Sequence, residues 1–225
     1  RTRTGDRAAF EQLYRRHRDR IYGLLWRLAG GEPPLYWFQQ RQLARIEPFG
    51  ERRLLEIGCG PGYLHQALLA EGAGHATGVD LSEGMLDIAR READKAGLAD
   101  RCDYRQGDFV QLAGQVAPAD ICILDKVVCC YPDWQGLLDA VVSHSGRVCA
   151  LTYPRDRRMV RVGVRAMSRL LDWLHCCYRP YIHDPAQIRA HLLASGFHLA
   201  IEQHTGGWLT EIYVRDEVDS MAAAR

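Results

Sequence analysis

From Arg53 onward the apolar positions alternate between two patterns. Short continuous runs bounded by turn residues read as buried strands, and longer stretches with an apolar residue every three or four positions read as amphipathic helices. The runs predict strands over residues 53–57, 75–79, 103–106, 120–124 and 147–152. Helices are predicted over 63–71, 83–96 and 134–142, the second capped by Ser82 and stopped by Gly97. Such alternation implies a parallel sheet with helices on both faces and right-handed crossovers. A helical stretch of mixed apolar and basic residues follows over 157–178, then a helix over 184–195 stopped by Gly196. Two further strands, 197–203 and 208–214, joined through Thr205-Gly206-Gly207, read as a closing antiparallel pair. The expected fold class is α/β, a seven-stranded and mostly parallel sheet whose last strand is antiparallel.

Ahead of this lies a different pattern. Phe10, Leu13, Tyr14, His17, Ile21, Leu24, Leu25 and Leu28 recur at helical spacing, with arginines on the other face, so residues 8–28 read as an amphipathic helix. Gly30-Gly31-Glu32-Pro33-Pro34 ends it, and a second helix over 35–46 leads into the first strand. Charge sharpens the division. Residues 1–31 hold eight arginines against three acids, a balance of +5, so a chain of net charge +1 leaves −4 for the remainder. The expected organisation is a basic helical arm over 1–31, one domain over 32–215 and a fraying tail over 216–225.

Composition excludes several classes. No apolar run approaches the roughly 18 residues needed to span a bilayer. The eight cysteines include no C-x-x-C pair, and several fall in predicted core strands. They read as reduced thiols, with no metal expected. With no charged-then-apolar leader pattern either, a cytoplasmic location is expected.

The candidate chemistry is concentrated in Leu54-Leu55-Glu56-Ile57-Gly58-Cys59-Gly60-Pro61-Gly62, followed by Gly78-Val79-Asp80. A buried strand ends in a turn with three glycines, and about 20 residues later a second strand ends in a carboxylate, the spacing of nucleotide-binding α/β folds. Glycines let backbone approach a ligand where a Cβ would collide. The carboxylate can accept hydrogen bonds from both hydroxyls of a ribose. A nicotinamide-dependent enzyme needs G-x-G-x-x-G, but the glycines here read G-x-G-x-G and residue 63 is Tyr.

That spacing, with Glu56 two residues before the first glycine, resembles motif I of the class I S-adenosylmethionine-dependent methyltransferases, which have a Rossmann-like sheet. The resemblance runs from about Arg52 to Val214. It implies S-adenosyl-L-methionine as cofactor, with Glu56 near its methionine ammonium and Gly58, Cys59, Gly60 and Gly62 wrapping its methionine end. Asp80 would hold the ribose hydroxyls, with Leu81 and Met85 beside it. Gly107-Asp108-Phe109 resembles the segment after strand three, where the acid takes the adenine amino group and an apolar neighbour covers the ring. Asp125 closes the cofactor set at the end of strand four. The implied activity is methyl transfer to a small organic acceptor by direct in-line displacement.

Ligands in open α/β sheets bind outside the carboxyl ends of the strands, so the loop after strand four, with Lys126, Cys129, Cys130 and Tyr131, is expected to face the acceptor. Tyr131-Pro132 and the later Tyr181-Ile182-His183 resemble the magnesium-protoporphyrin O-methyltransferase branch and its small-molecule relatives. Tyr131 and His183 are therefore the candidate catalytic residues. The porphyrin enzymes place a His before the Tyr-Pro, where this chain has Cys130, so the branch implies architecture rather than substrate. Cys129 and Cys130 have no adjacent base and are expected to fill space. Asp125-Lys126-Val127-Val128 lacks the Asn/Asp-Pro-Pro-Tyr motif of amino-methylating nucleic-acid enzymes, and nucleic acid is not an expected partner.

Residues 5–31 carry a second resemblance, to the first helix of region 2 in extracytoplasmic-function sigma factors. It implies an alternative, a transcription-related or polymerase-binding regulator. The promoter-reading continuation and the helix-turn-helix of region 4 are absent from the sequence, so the arm is expected to serve as an accessory helix. Its apolar stripe would be buried against the methyltransferase domain or a second copy in a homodimer.

Overall fold

The computed structural model describes residues 42–45, 49–173 and 180–215. The predicted arm, the tail and most of the 35–46 helix lie outside these residues, although 42–45 are helical. The strands are β1 (Arg53–Ile57), β2 (His75–Asp80), β3 (Cys102–Gln106), β4 (Ala119–Asp125), β5 (Ser145–Pro154), β6 (Phe197–Thr205) and β7 (Trp208–Arg215). The helices are α1 (Tyr63–Ala70), α2 (Glu83–Lys95), α3 (Phe109–Leu112), α4 (Trp134–His144), α5 (Arg158–Trp173) and α6 (Pro185–Ala194). All seven strands form one sheet in the order β3-β2-β1-β4-β5-β7-β6. β7 runs antiparallel to both β5 and β6, and the other adjacent pairs are parallel.

Both faces of the sheet are covered, and the alternation along each strand shows how. Leu55, Cys122, Leu124, Cys149 and Leu151 point into one apolar layer with Leu137 and Leu138 of α4 and Ile188 and Leu192 of α6. Their neighbours Leu54, Ile121, Ile123, Val148 and Ala150 point into the other, with Leu64, Leu68 and Leu69 of α1. A side-chain period of two sends successive residues to opposite faces, and a strand buried on both reads as a continuous apolar run. Each such Leu or Ile stabilises the fold by about 1.5–3 kcal/mol through burial.

The predicted caps are present. The Ser82 hydroxyl accepts from Met85 N–H at 3.4 Å, and Gly97 follows α2 with a φ of 68°. Asp133 and Asp184 cap α4 and α6 in the same way. β5 is longer than its apolar run predicts, because antiparallel pairing with β7 carries it from Val148 opposite Val214 out to Pro154 opposite Trp208. The four-residue α3 and the 3-10 turn Val128–Cys130 were not predicted, since neither is long enough to display a period.

The strand order positions the site. From β1 the chain moves outward through β2 to β3, then crosses back to place β4 on the other side of β1. The loops leaving β1 and β4 therefore diverge, and the crevice between them is where open α/β sheets bind ligands.

Candidate functional site

The loop leaving β1 turns back on itself through left-handed backbone. Gly58, Gly60 and Gly62 have φ of 65°, 54° and 77°. A side chain at Gly58 would meet Val127 Cγ2 at 2.5 Å, so this glycine lets the two diverging loops touch. At Gly60 the requirement is different, because a Cβ there would have nothing within 4 Å. Positive φ is what restricts the position to glycine, and open space lies above it.

Asp80, at the end of β2, ties this loop to the next. One carboxylate oxygen accepts from Gly60 N–H at 2.8 Å and the other from Ser82 N–H at 2.8 Å. Burial pushes its carboxyl above the ordinary value, and the two backbone hydrogen bonds oppose that shift. Each oxygen keeps acceptor capacity beyond these bonds.

A cleft of about 230 Å³ opens beside Asp80. Of the residues singled out in the sequence, Gly58, Asp80, Leu81, Gly107, Asp108, Phe109, Asp125, Lys126, Cys130 and Tyr131 line it, joined by Val127. Gly107 N–H donates to the Asp80 carbonyl at 2.9 Å, which sets the segment after β3 alongside. Asp108 caps α3 through Val110 N–H at 3.1 Å. The Tyr131 hydroxyl donates to Asp108, at 2.8 and 3.0 Å from its two oxygens. It is directed to the opposite wall of the cleft.

Gly60 and Gly62, in the turn described above, do not line the cleft, and four other predicted residues sit elsewhere. Glu56 is 2% exposed and does not line the cleft. It accepts from His65 N–H at 3.2 Å and pairs with His65 Nδ1 at 2.6 Å. Burial opposes a charge on His65, but hydrogen bonds to Cys102 and Glu56 outweigh it and raise the imidazole to about 9. His65 Nε2 lies 3.1 Å from the Tyr104 hydroxyl, so Glu56 anchors a polar network beneath the glycine loop. The Cys59 side chain is buried, and burial pushes its thiol up. Met85 is buried within the first turn of α2.

His183 is the fourth. Its Nε2 lies 3.1 Å from the Val128 carbonyl and 3.0 Å from the Tyr131 carbonyl. Carbonyls only accept, so this nitrogen carries the proton and donates. Burial lowers the pKa of the ring. Tyr181 stacks on it at 5.8 Å, and Tyr181 N–H donates to the Cys129 carbonyl at 2.7 Å. Residues 181–183 therefore form a strap that pins the loop after β4.

Sequence reasoning missed His65, and it placed Lys126 in the loop facing the acceptor without the turn that Lys126 makes. Lys126 holds a left-handed φ of 61°, rare for a residue with a side chain. Its N–H donates to the Thr152 carbonyl at 2.8 Å, clamping the turn to β5. Its ammonium pairs with Asp125 and lies 5.6 Å from the centre of the Trp208 ring. Its carbonyl accepts from the thiols of Cys129 at 3.2 Å and Cys130 at 3.4 Å. Among the described residues no group of three or more His, Cys, Asp or Glu is placed to hold a metal ion, and no helix is long and apolar enough to cross a membrane.

The switch-point crevice, the glycine turn and the strand-end carboxylate define the class. The chain belongs to the class I S-adenosylmethionine-dependent methyltransferases. A methyltransferase-domain family model matches residues 54–147. The ubiquinone biosynthesis O-methyltransferase of Xylella fastidiosa is 31% identical over 184 residues, covering 77% of this chain and 73% of the relative. That of Coxiella burnetii is 27% identical, covering 77% and 76%. In fold, the chain is similar to magnesium protoporphyrin IX methyltransferase from Synechocystis with bound SAH, with a TM-score of 0.69 at 19% identity over 92% of this chain and 100% of that one. An O-methyltransferase family protein from Burkholderia thailandensis gives 0.72 at 15% identity, over 94% and 64%.

Proposed function

We propose that this methyltransferase acts on a small organic acceptor held over the loop after β4, and that the cleft beside Asp80 holds the cofactor. The observation that carries the reading is the Asp80 carboxylate, fixed by Gly60 and Ser82 N–H groups with acceptor capacity remaining beside an open glycine turn. S-adenosyl-L-methionine, when bound, supplies a methyl on a sulfonium whose leaving group is already activated. Asp80 would accept from the ribose hydroxyls. Asp108 would take the adenine amino group, with Leu81 and Phe109 supplying apolar cover. Glu56 acts from below, through His65, by holding the start of α1 against β1.

The remaining task of the protein is to align the acceptor and exclude water. Lys126, Cys130 and Tyr131 present the rim where an acceptor would lie. Cys129 does no covalent chemistry in this reading, since its hydrogen bond with Cys130, then burial, push its thiol far up. His183 positions the loop rather than moving a proton, because its protonated nitrogen is committed to two carbonyls. Residues 1–31 serve as an accessory arm. Calorimetric titration with S-adenosylhomocysteine tests the cofactor assignment, and a screen of small acceptors with methyl-labelled cofactor tests the rest. No binding by the folded protein would overturn the cofactor site. Binding without transfer to any oxygen, nitrogen or carbon acceptor would overturn the small-acceptor reading.

A further inference from the structure

The strap has a second face. Tyr181 and His183 bond and stack toward the loop after β4, whereas Pro180, Ile182 and Asp184 line another cavity on the opposite side. Such alternation is what an extended segment imposes. The far wall of this cavity is α5, which begins just beyond the C-terminal end of β5, at the same edge of the sheet as the cofactor cleft. α5 contributes Arg161, Arg165 and Arg169, four residues apart and so on one helix face, each about 6 Å along the axis from the next. Val164, with Ile182 from the strap, supplies an apolar floor.

The charges do not cancel. Asp156 is taken by Arg161 through two hydrogen bonds. Asp184 caps α6, accepting from Ala186 N–H at 2.9 Å. Among the described residues Arg165 and Arg169 form no ion pair, and the lining carries three guanidiniums against two carboxylates, a surplus of one positive charge. A solvated arginine row alone would mean little. Here it faces an apolar wall across about 660 Å³, a volume suited to an organic ligand rather than a single inorganic ion.

We propose that this cavity binds an organic anion with an apolar body, its carboxylate, sulfonate or phosphate held by Arg165 and Arg169. Guanidinium suits this task because its planar fork matches an oxyanion with paired, charge-assisted hydrogen bonds. The anion is either an extended methyl acceptor whose anionic end lies here while its reacting end reaches the loop after β4, in which case the site deepens the small-acceptor reading above and rests on it, or an effector acting through the strap.

The test uses the full chain saturated with S-adenosylhomocysteine, so that the cofactor cleft is filled. Two fluorescent probes share one ring system, the anionic 1-anilinonaphthalene-8-sulfonate and the neutral N-phenyl-1-naphthylamine. The sulfonate is expected to bind tighter than the neutral amine and to lose affinity with added salt. The double substitution Arg165→Gln/Arg169→Gln should weaken the sulfonate about tenfold or more and leave the amine unchanged. Arg91→Gln, on the exposed face of α2, should change neither. Equal binding of the two probes, or a double variant that melts like wild type and binds the sulfonate equally well, would overturn the site. A panel of aromatic and aliphatic acids then separates the sources. Acids that displace the sulfonate and become methylated identify an acceptor site, and acids that displace it without methylation but alter S-adenosylhomocysteine affinity identify an effector site. Absence of S-adenosylhomocysteine binding would count against the cofactor assignment, and the probe comparison remains readable in that event.

Discussion

Asp80 does the work of two contacts with one side chain, bridging the glycine turn and the start of α2 while retaining capacity toward the cleft. Asp80→Ala is expected to weaken S-adenosylhomocysteine binding by about 1.5–3 kcal/mol, the range for hydrogen bonds to a charged group. Calorimetry checks this, and unchanged affinity in a folded variant would remove Asp80 from the site. Tyr131 leads to a different expectation. Its hydroxyl donates to Asp108, so Tyr131→Phe should weaken cofactor binding by roughly 0.5–1.5 kcal/mol and leave turnover at saturating cofactor near wild type. A fall in turnover without a fall in affinity would return the hydroxyl to the acceptor side. Single residues were legible where spacing encodes chemistry, as at Gly58, Gly60, Asp80 and Asp108. Tyr131 was found but not its direction, because its partner comes from a different loop. His65 left a faint signal, a polar residue among the apolar positions of Tyr63–Ala70. Lys126 was placed in its loop, but nothing in its type announces a left-handed turn.

At the scale of elements, the strap over 181–183 and the β1–α1 pair can each be probed. His183→Ala removes the donor shared by two carbonyls and should destabilise the chain by about 1–2 kcal/mol. His183→Asn, which can keep an N–H near the same place, should recover part of the loss. If the ring is structural, the pH–rate profile of His183→Asn keeps its shape; loss of a limb between pH 5 and 7 would make His183 a base. The Glu56–His65 pair predicts a pH dependence of stability. His65 is raised from 6.5 to about 9 in the folded chain, so its contribution is full below pH 6.5 and is lost as pH rises through 9. Burial raises Glu56 as well, and a raised carboxyl also makes stability fall with increasing pH. Melting temperature should therefore drop from pH 6.5 to 9, and His65→Gln should flatten that drop. A wild-type curve that is flat or rising over this range would contradict the pair. Elements of five residues or more could be read from their periodicity, whereas α3 and the Val128–Cys130 turn are set by the Asp108 cap and the Lys126 turn rather than by any repeat.

At the scale of the molecule, the sheet follows from alternating runs, but the position of β7 between β5 and β6 does not. Antiparallel pairing depends on which edge remains free after β5 is placed, and that is a property of the assembled sheet. The arm over 1–31 is expected to matter for stability or association. Its deletion should lower the melting temperature or change the oligomeric state seen by light scattering, while S-adenosylhomocysteine binding persists. Promoter-specific transcription lost on that deletion would favour the sigma-like alternative. The strap has a further consequence. The odd residues of one extended segment hold the loop after β4, which lines the cofactor cleft, while its even residues line the cavity beneath α5. Thermodynamic linkage requires that whatever factor a guest beneath α5 applies to cofactor affinity, the cofactor applies to that guest in return. A guest that favours the braced form of the strap would then hold spent cofactor more tightly, and spent cofactor would hold that guest by the same factor, with the loop after β4 as the part both of them share.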